Sequence, residues 1–255
     1  MLYCINKVIQ KERVRGNRMS SLIDIKDMSK IYNPGENEVR ALDHVNLHIE
    51  RGEYVAIIGH SGSGKSTLMN MLGCLDVPSS GKYYLCGADV ALLEDDELSD
   101  IRNLEIGFIF QGFNLIPSLT AVENVELPLI YRGIGKRERH ELAINALEKV
   151  GLSHRLNHKP SEMSGGQQQR VAIARAIAAS PPVILADEPT GNLDSGSTEE
   201  IIGILNELYK SGKTVIIITH DDDIAAKARR VIRIKDGKIE ADIYNDDNVK
   251  RDTNA

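Results

Sequence analysis

The chain has 255 residues, enough for one large α/β domain or for a core with an attached lobe. Apolar residues make up 42% of it, which supports an ordinary packed core, while aromatics are only 4% and tryptophan is absent. So few rings, with a formal net charge of -6, argue against a surface whose main task is gripping nucleic acid.

Cys4, Cys74 and Cys86 are odd in number and form no CxxC pair. That is neither a disulfide framework nor a zinc site, and it fits a reducing cytosol. No apolar run approaches the roughly 18 residues needed to cross a bilayer. If the protein works at a membrane, another subunit must supply the spanning part.

Residues 1–20 stand apart as a basic extension, with Lys7, Lys11, Arg13, Arg15 and Arg18 against Glu12. It lacks an apolar stretch of signal-peptide length. It reads as a membrane-surface arm or as a start assigned upstream of Met19, is expected to be disordered, and receives no function. Leu22–Ile25 and Val45–Ile49 then alternate apolar with polar residues, as half-buried strands do, with a turn at Asn33-Pro34-Gly35 between them. Tyr54–Ile58 is a continuous apolar run ending in glycine, a buried strand that delivers the chain to a loop. Gly64–Leu72 follows with helical spacing.

From about Asp95 to Gly165 the texture becomes helical and charged (Asp95–Arg102, Lys136–Val150), interrupted by Pro117, Pro128 and Pro160. A βαβ pattern resumes with a helix at Gln167–Ala179, a strand at Val183–Ala186, a helix at Ser197–Lys210 and a strand at Thr214–Thr219. Val231–Ile234 and Lys238–Ala241 flank Asp236-Gly237, a hairpin signal. The last residues are polar and expected to fray.

Gly59-His60-Ser61-Gly62-Ser63-Gly64-Lys65-Ser66 matches the phosphate-loop pattern G-x-x-x-x-G-K-[ST]. Glycines let successive N–H groups turn inward to make an anion site, and the following helix aims its positive end at it. Lys65 adds a full charge for the outer phosphates, and the Ser66 hydroxyl is placed for magnesium. His60 stands at an unspecified position and has no role of its own.

The strand Val183–Ala186 closes on Asp187 and Glu188. Alone, two acids there are a solvated turn or a helix cap. After a phosphate loop, Asp187 is expected to hold magnesium through water and Glu188 to polarise the attacking water as general base. His220 ends the next buried strand, from which it could reach a terminal phosphate. His154 and His158 read as surface or structural. Gln111, after the apolar run Gly107–Phe110, is either a surface residue or an amide able to ligate magnesium or water. Ser164-Gly165-Gly166-Gln167 opens a second helix. It serves as a plain helix cap, or as half of an anion site with no lysine of its own.

These motifs, in this order and with Gly191-Asn192-Leu193-Asp194, resemble the nucleotide-binding subunit of an ABC transporter over about Leu22–Ala241. Met163 stands where that family usually has leucine, a similar apolar size. Leu72-Gly73-Cys74-Leu75-Asp76, Asn114-Leu115-Ile116-Pro117 and Leu185–Asp194 resemble the lipoprotein-release and macrolide-exporter branch in particular.

The resemblance implies an α/β fold: a P-loop NTPase core with a mixed sheet, an antiparallel β subdomain and an α-helical subdomain. It places the ATPase domain at 21–242, the helical subdomain at about 95–165 and a polar tail at 243–255. It implies ATP and Mg2+ as cofactors, with Tyr32 stacking on adenine and the loop from Gly59 to Thr67 on the phosphates. Ser66, Gln111 and Asp187 would serve the metal, and Lys65, Gln111, Glu188 and His220 the chemistry. It implies a head-to-tail homodimer in which Ser164–Gln167 and Asp194 of one copy complete the site of the other.

A separate integral-membrane permease, which Gln111 would inform of the site's state, is the expected partner. A periplasmic or membrane-fusion adaptor is a further one, nucleic acid is none, and the place of work is the cytoplasmic face of the membrane. The rival readings are a division-type ATPase that controls a cell-wall hydrolase through its permease, and a soluble ATPase of DNA repair or translation. Repair members carry long coiled coils and translation members two such domains, and neither is seen here.

Overall fold

The computed structural model describes residues 21–35 and 37–245; the basic extension expected at 1–20 and the tail beyond 245 lie outside the described residues. In chain order the described elements are β1 (Ser21–Tyr32), β2 (Val39–Glu50), β3 (Tyr54–Ile58), α1 (Lys65–Leu72), β4 (Ser80–Leu85), β5 (Ala88–Asp89), α2 (Asp95–Glu105), β6 (Ile106–Phe110) and α3 (Ala121–Tyr131). There follow α4 (Lys136–Lys149), α5 (Gly165–Ala178), β7 (Val183–Asp187), α6 (Ser195–Lys210), β8 (Thr214–Thr219), α7 (Asp222–Ala225), β9 (Arg230–Lys235) and β10 (Lys238–Tyr244). They divide into two compact units, one up to Arg102 and from Ile216 onward, the other Asn103–Val215.

In the first unit an antiparallel sheet runs in the order β2-β1-β4-β5. Its two long strands extend well past the alternating stretches Leu22–Ile25 and Val45–Ile49, because the pairing is bulged. The register shifts between Ile25 and Met28, and Asp27 (φ 52°) and His44 (φ 54°) take left-handed backbone at the break. The Asp27 carboxylate and His44 Nδ1 meet there at 2.7 Å. Each bulge flips the inside-outside alternation, so the sequence pattern stops where the strand does not. Strand β4 crosses at the same place: a Cβ on Gly81 (φ +87°) would lie 2.3 Å from the Asp27 carbonyl, so only glycine fits.

The other sheet of this unit is mixed, ordered β10-β9-β3-β8, with β3 parallel to β9 and β10 antiparallel to it. All five residues of β3 are buried, as a continuous apolar run predicts. The turn Asp236-Gly237 makes the expected β9–β10 hairpin, and β10 continues to Tyr244.

Arg230, 5% exposed, ties this sheet to the antiparallel one. Its guanidinium donates to both carboxylate oxygens of Asp242 at 2.7 Å, to Glu53 at 2.8 Å and to the His48 carbonyl at 2.8 Å.

The second unit pairs β6 with β7 in parallel, Ile106 opposite Val183 through Phe110 opposite Asp187. Helices α3, α4 and α5 pack on one another, and α5 also packs on β6. The expectation that Pro128 interrupts the helical pattern is corrected here: α3 runs through it. Proline removes one backbone bond, but the buried side of the helix (Ala121, Val122, Val125, Leu129) continues past it, and a Thr120–Glu123 capping box secures its start. Asn124, fully buried, donates its amide to the Ile116, Leu119 and Thr120 carbonyls and so fastens the preceding loop.

Replacing Arg230 with alanine leaves Asp242 and Glu53 without their buried partner. It should lower the unfolding free energy by about 3 kcal/mol in urea titration; a loss under about 0.5 kcal/mol would show that the cluster is not holding the sheet.

Candidate functional site

The phosphate loop leaves the buried end of β3 and turns on glycines that backbone conformation or packing demands. Gly62 (φ +78°) and Gly64 (φ +104°) occupy left-handed backbone. A Cβ on Gly64 would lie 2.5 Å from the Ala41 carbonyl, and one on Gly59 2.3 Å from the Ile234 carbonyl. Neighbouring strands brace the loop: the Ser63 carbonyl accepts from Gly237 N at 2.9 Å, and the Gly237 carbonyl accepts from Asp43 N at 2.9 Å.

Lys65 folds its ammonium into the concavity, donating to the carbonyls of Gly59 and of His60, the latter at 2.9 Å. The Ser63 hydroxyl is buried with no hydrogen-bond partner among the described residues. Helix α1 starts with neither a side-chain cap nor an acidic residue in its first turn, so its positive end is not offset locally. This is an anion cradle. Tyr32 ends β1 in the same unit, half-buried, and His220 follows β8, exposed; the adjacent Asp221 caps α7 through the N–H groups of Asp223 and Ile224.

The second unit gathers the other motif residues. Asp187 ends β7, and Glu188 follows it half-buried in left-handed backbone at φ 43°. For a non-glycine residue that conformation is strained, and such strain concentrates where a side chain must be aimed. Gln111 follows β6 and is clasped to the 191–192 turn. Its backbone carbonyl accepts from Asn192 Nδ2 at 3.0 Å, and a Cβ on Gly191 would come within 2.7 Å of its amide nitrogen.

Ser164 and Gln167 form a capping box at the start of α5. Ser164 Oγ accepts from Gln167 N at 3.3 Å, and Gln167 Oε1 accepts from Ser164 N at 3.1 Å. The plain-cap reading of this turn is therefore realised within the chain. Asp194 likewise caps α6, accepting from Ser197 N and Ser197 Oγ, both at 2.9 Å. Those bonds hold its carboxyl below the usual carboxylate range.

Sequence reasoning missed the side chains that hold these turns together. Gln169 is fully buried on α5 and donates Nε2 to the Pro189 carbonyl at 2.6 Å and the Phe110 carbonyl at 3.4 Å. Arg175, one and a half turns on, donates to the carbonyls of Phe113 and Asn114, two residues in left-handed backbone just past Gln111. One helix therefore fixes the chain after β6 and the chain after β7. A buried amide inside the run Gln167-Gln168-Gln169 was the signal, but nothing in its pattern separates the buried member from its neighbours. Among the described residues no group of three or more His, Cys, Asp or Glu side chains could hold a metal ion.

An α/β core carrying a braced glycine loop, an uncapped helix start and an acidic strand end defines a P-loop nucleotide-binding protein. The chain belongs to the ABC transporter family, whose model matches residues 42–191. It is 55% identical over 88% of its length to the macrolide export ATP-binding/permease protein MacB of Hyphomonas neptunium, and spans 35% of that protein. It is 52% identical over 88% of its length to the ABC transporter ATP-binding protein YvrO of Bacillus subtilis, covering 98% of it. Its structure superposes on a dimeric post-hydrolysis ATP-binding cassette, MJ0796, bound to ADP and Pi. The TM-score is 0.80, with 49% identity, 87% of this chain and 98% of that one. The chain thus carries the ATP-binding domain of the family and is an ATPase.

A Cβ on Gly166 would lie 2.5 Å from Ser197 Oγ and 2.9 Å from Ser197 Cβ. Rotating Ser197 away breaks its bond to Asp194. Gly166→Ala should therefore lower the unfolding free energy by about 1–3 kcal/mol, and adding Ser197→Gly should recover part of it in a double-mutant cycle. Strictly additive losses would mean that the two positions do not touch.

Proposed function

We propose that this chain is the ATPase subunit of an ABC transporter, working as a head-to-tail homodimer that powers a membrane permease from the cytoplasmic face. The likeness to a dimeric cassette bound to ADP and Pi supports the dimer, and the export ATP-binding/permease relatives support the permease. Among the described residues no helix is long and apolar enough to cross a membrane, so the spanning part comes from outside them. The single observation that carries the reading is the second glycine turn, Ser164–Gln167. It is capped and held by α5, yet brings no lysine of its own, as half of a shared anion site would.

In this reading the domain spans 21–242. The loop from Gly59 to Thr67 takes the phosphates, with Lys65 leaving the carbonyls of Gly59 and His60 to neutralise the outer ones. Ring stacking on Tyr32 takes the adenine. The oxygen donors Ser66, Gln111 and Asp187 suit Mg2+, which when bound offsets the charge that develops on the phosphate oxygens. Glu188 accepts a proton from the attacking water, and His220 contacts the terminal phosphate. Ser164–Gln167 and Asp194 of the partner copy close the site. Gln111, clasped to the 191–192 turn, passes the state of the site to the permease. The export branch adds a periplasmic or membrane-fusion adaptor on the far side.

Glu188→Gln keeps the shape of the side chain and removes its basicity. It should cut turnover by about 10²-fold or more while leaving ATP affinity within about twofold, and should prolong the ATP-bound dimer on size-exclusion chromatography. Near-normal hydrolysis in this variant would overturn the assignment of the base.

A further inference from the structure

Strand β1 ends in Lys30-Ile31-Tyr32, and the side chains of Lys30 and Tyr32 meet at one carboxylate. Asp76, a few residues past α1, engages both. Lys30 Nζ donates to Asp76 Oδ1 at 2.6 Å and to the Val77 carbonyl at 2.8 Å, and Tyr32 Oη donates to Asp76 Oδ2 at 3.0 Å. Val77 N donates to Oδ1 as well, at 2.7 Å. The Lys30 ammonium also sits 5.0 Å from the centroid of the Tyr32 ring, over one of its faces.

Each contact restricts the next. The Lys30 side chain is only 12% exposed, so its charge must stay with the carboxylate. Burial pushes the Asp76 carboxyl up, but the bonds from Lys30, Val77 and Tyr32 outweigh it and hold the group below its ordinary value. A tyrosine at a strand end normally keeps rotamer freedom that it must give up to stack on a ligand. Here that freedom is removed beforehand.

We infer that Asp76 is a positioning residue for the base of the nucleotide. Its two oxygens hold Tyr32 and Lys30 so that Lys30 covers one face of the ring and the opposite face is presented, preset, to the adenine. The inference rests on the reading of Tyr32 as the ring that stacks on adenine. It makes a prediction that a mere tie between β1 and the loop after α1 does not: losing Asp76 weakens binding only of ligands that carry a base.

The test is isothermal titration of the full chain with ATP and with inorganic tripolyphosphate, which has the phosphates and no base. Asp76→Ala should lose about three- to tenfold in ATP affinity and nothing for tripolyphosphate. Tyr32→Phe, which keeps the ring and loses the bond to Asp76, should lose part of the same preference, and Tyr32→Ala all of it. If Tyr32→Ala loses the preference while Asp76→Ala keeps it, Asp76 does not position the ring. Equal loss for both ligands in Asp76→Ala reduces the cluster to a structural tie. If Tyr32→Ala itself keeps the full preference, the stacking reading fails and this inference falls with it.

Discussion

The site in the first unit depends on one close approach: the backbone carbonyl of Ala41 against Gly64 and Gly237. A Cβ at either glycine would meet that oxygen, at 2.5 Å and 2.9 Å respectively. Strand β2, the β9–β10 turn and the phosphate loop can therefore meet only because both positions lack a side chain. Hydrogen bonds then complete the contact, from Gly237 N to Ser63 and from Asp43 N to Gly237. The result is a loop held from outside, with the Lys65 ammonium resting on the carbonyls of Gly59 and His60.

The second unit reaches the same end by different means. There one helix supplies the fixation. Gln169 and Arg175 of α5 hold the backbone after β6 and β7, and Gly166 leaves room on α5 for Ser197 of α6, whose N–H and hydroxyl donate to the Asp194 cap. Motif residues that look independent in sequence are thus parts of one packed assembly. A change at Gln169 would be felt next to Gln111 and Glu188, and one at Gly166 would be felt through Ser197 at Asp194.

Most of the fold was legible in the sequence where periodicity is uninterrupted. The fully buried β3 and β8, the apolar part of β7 and the amphipathic α6 announce themselves as apolar runs or helical spacing. Legibility failed where backbone geometry overrides pattern. The bulge at Asp27 and His44 truncated the reading of β1 and β2, and β4, which shows only Tyr83 and Leu85 to the core, gave too short a signal. Pro128 looked like a breaker, yet tertiary packing carries the helix through it. The candidate site was legible as motifs, since each glycine, lysine or acid is demanded by local chemistry. What stayed hidden were the contacts of Gln169, Arg175, Asn192 and Asp76, because a side chain that bonds a distant carbonyl or ring leaves no mark on spacing.

The central claim is that each ATP is enclosed by the phosphate loop of one copy and the Ser164–Gln167 turn of another. Complementation tests it most directly. Two variants, Lys65→Ala and Ser164→Arg, are each prepared alone, found inactive, and then mixed in equal amounts. In the mixed dimer one site has a defective loop facing a defective turn, and the other has both parts intact. The account predicts that ATP hydrolysis reappears on mixing. A mixture as inactive as its components, with mixed dimers shown to form, would contradict it.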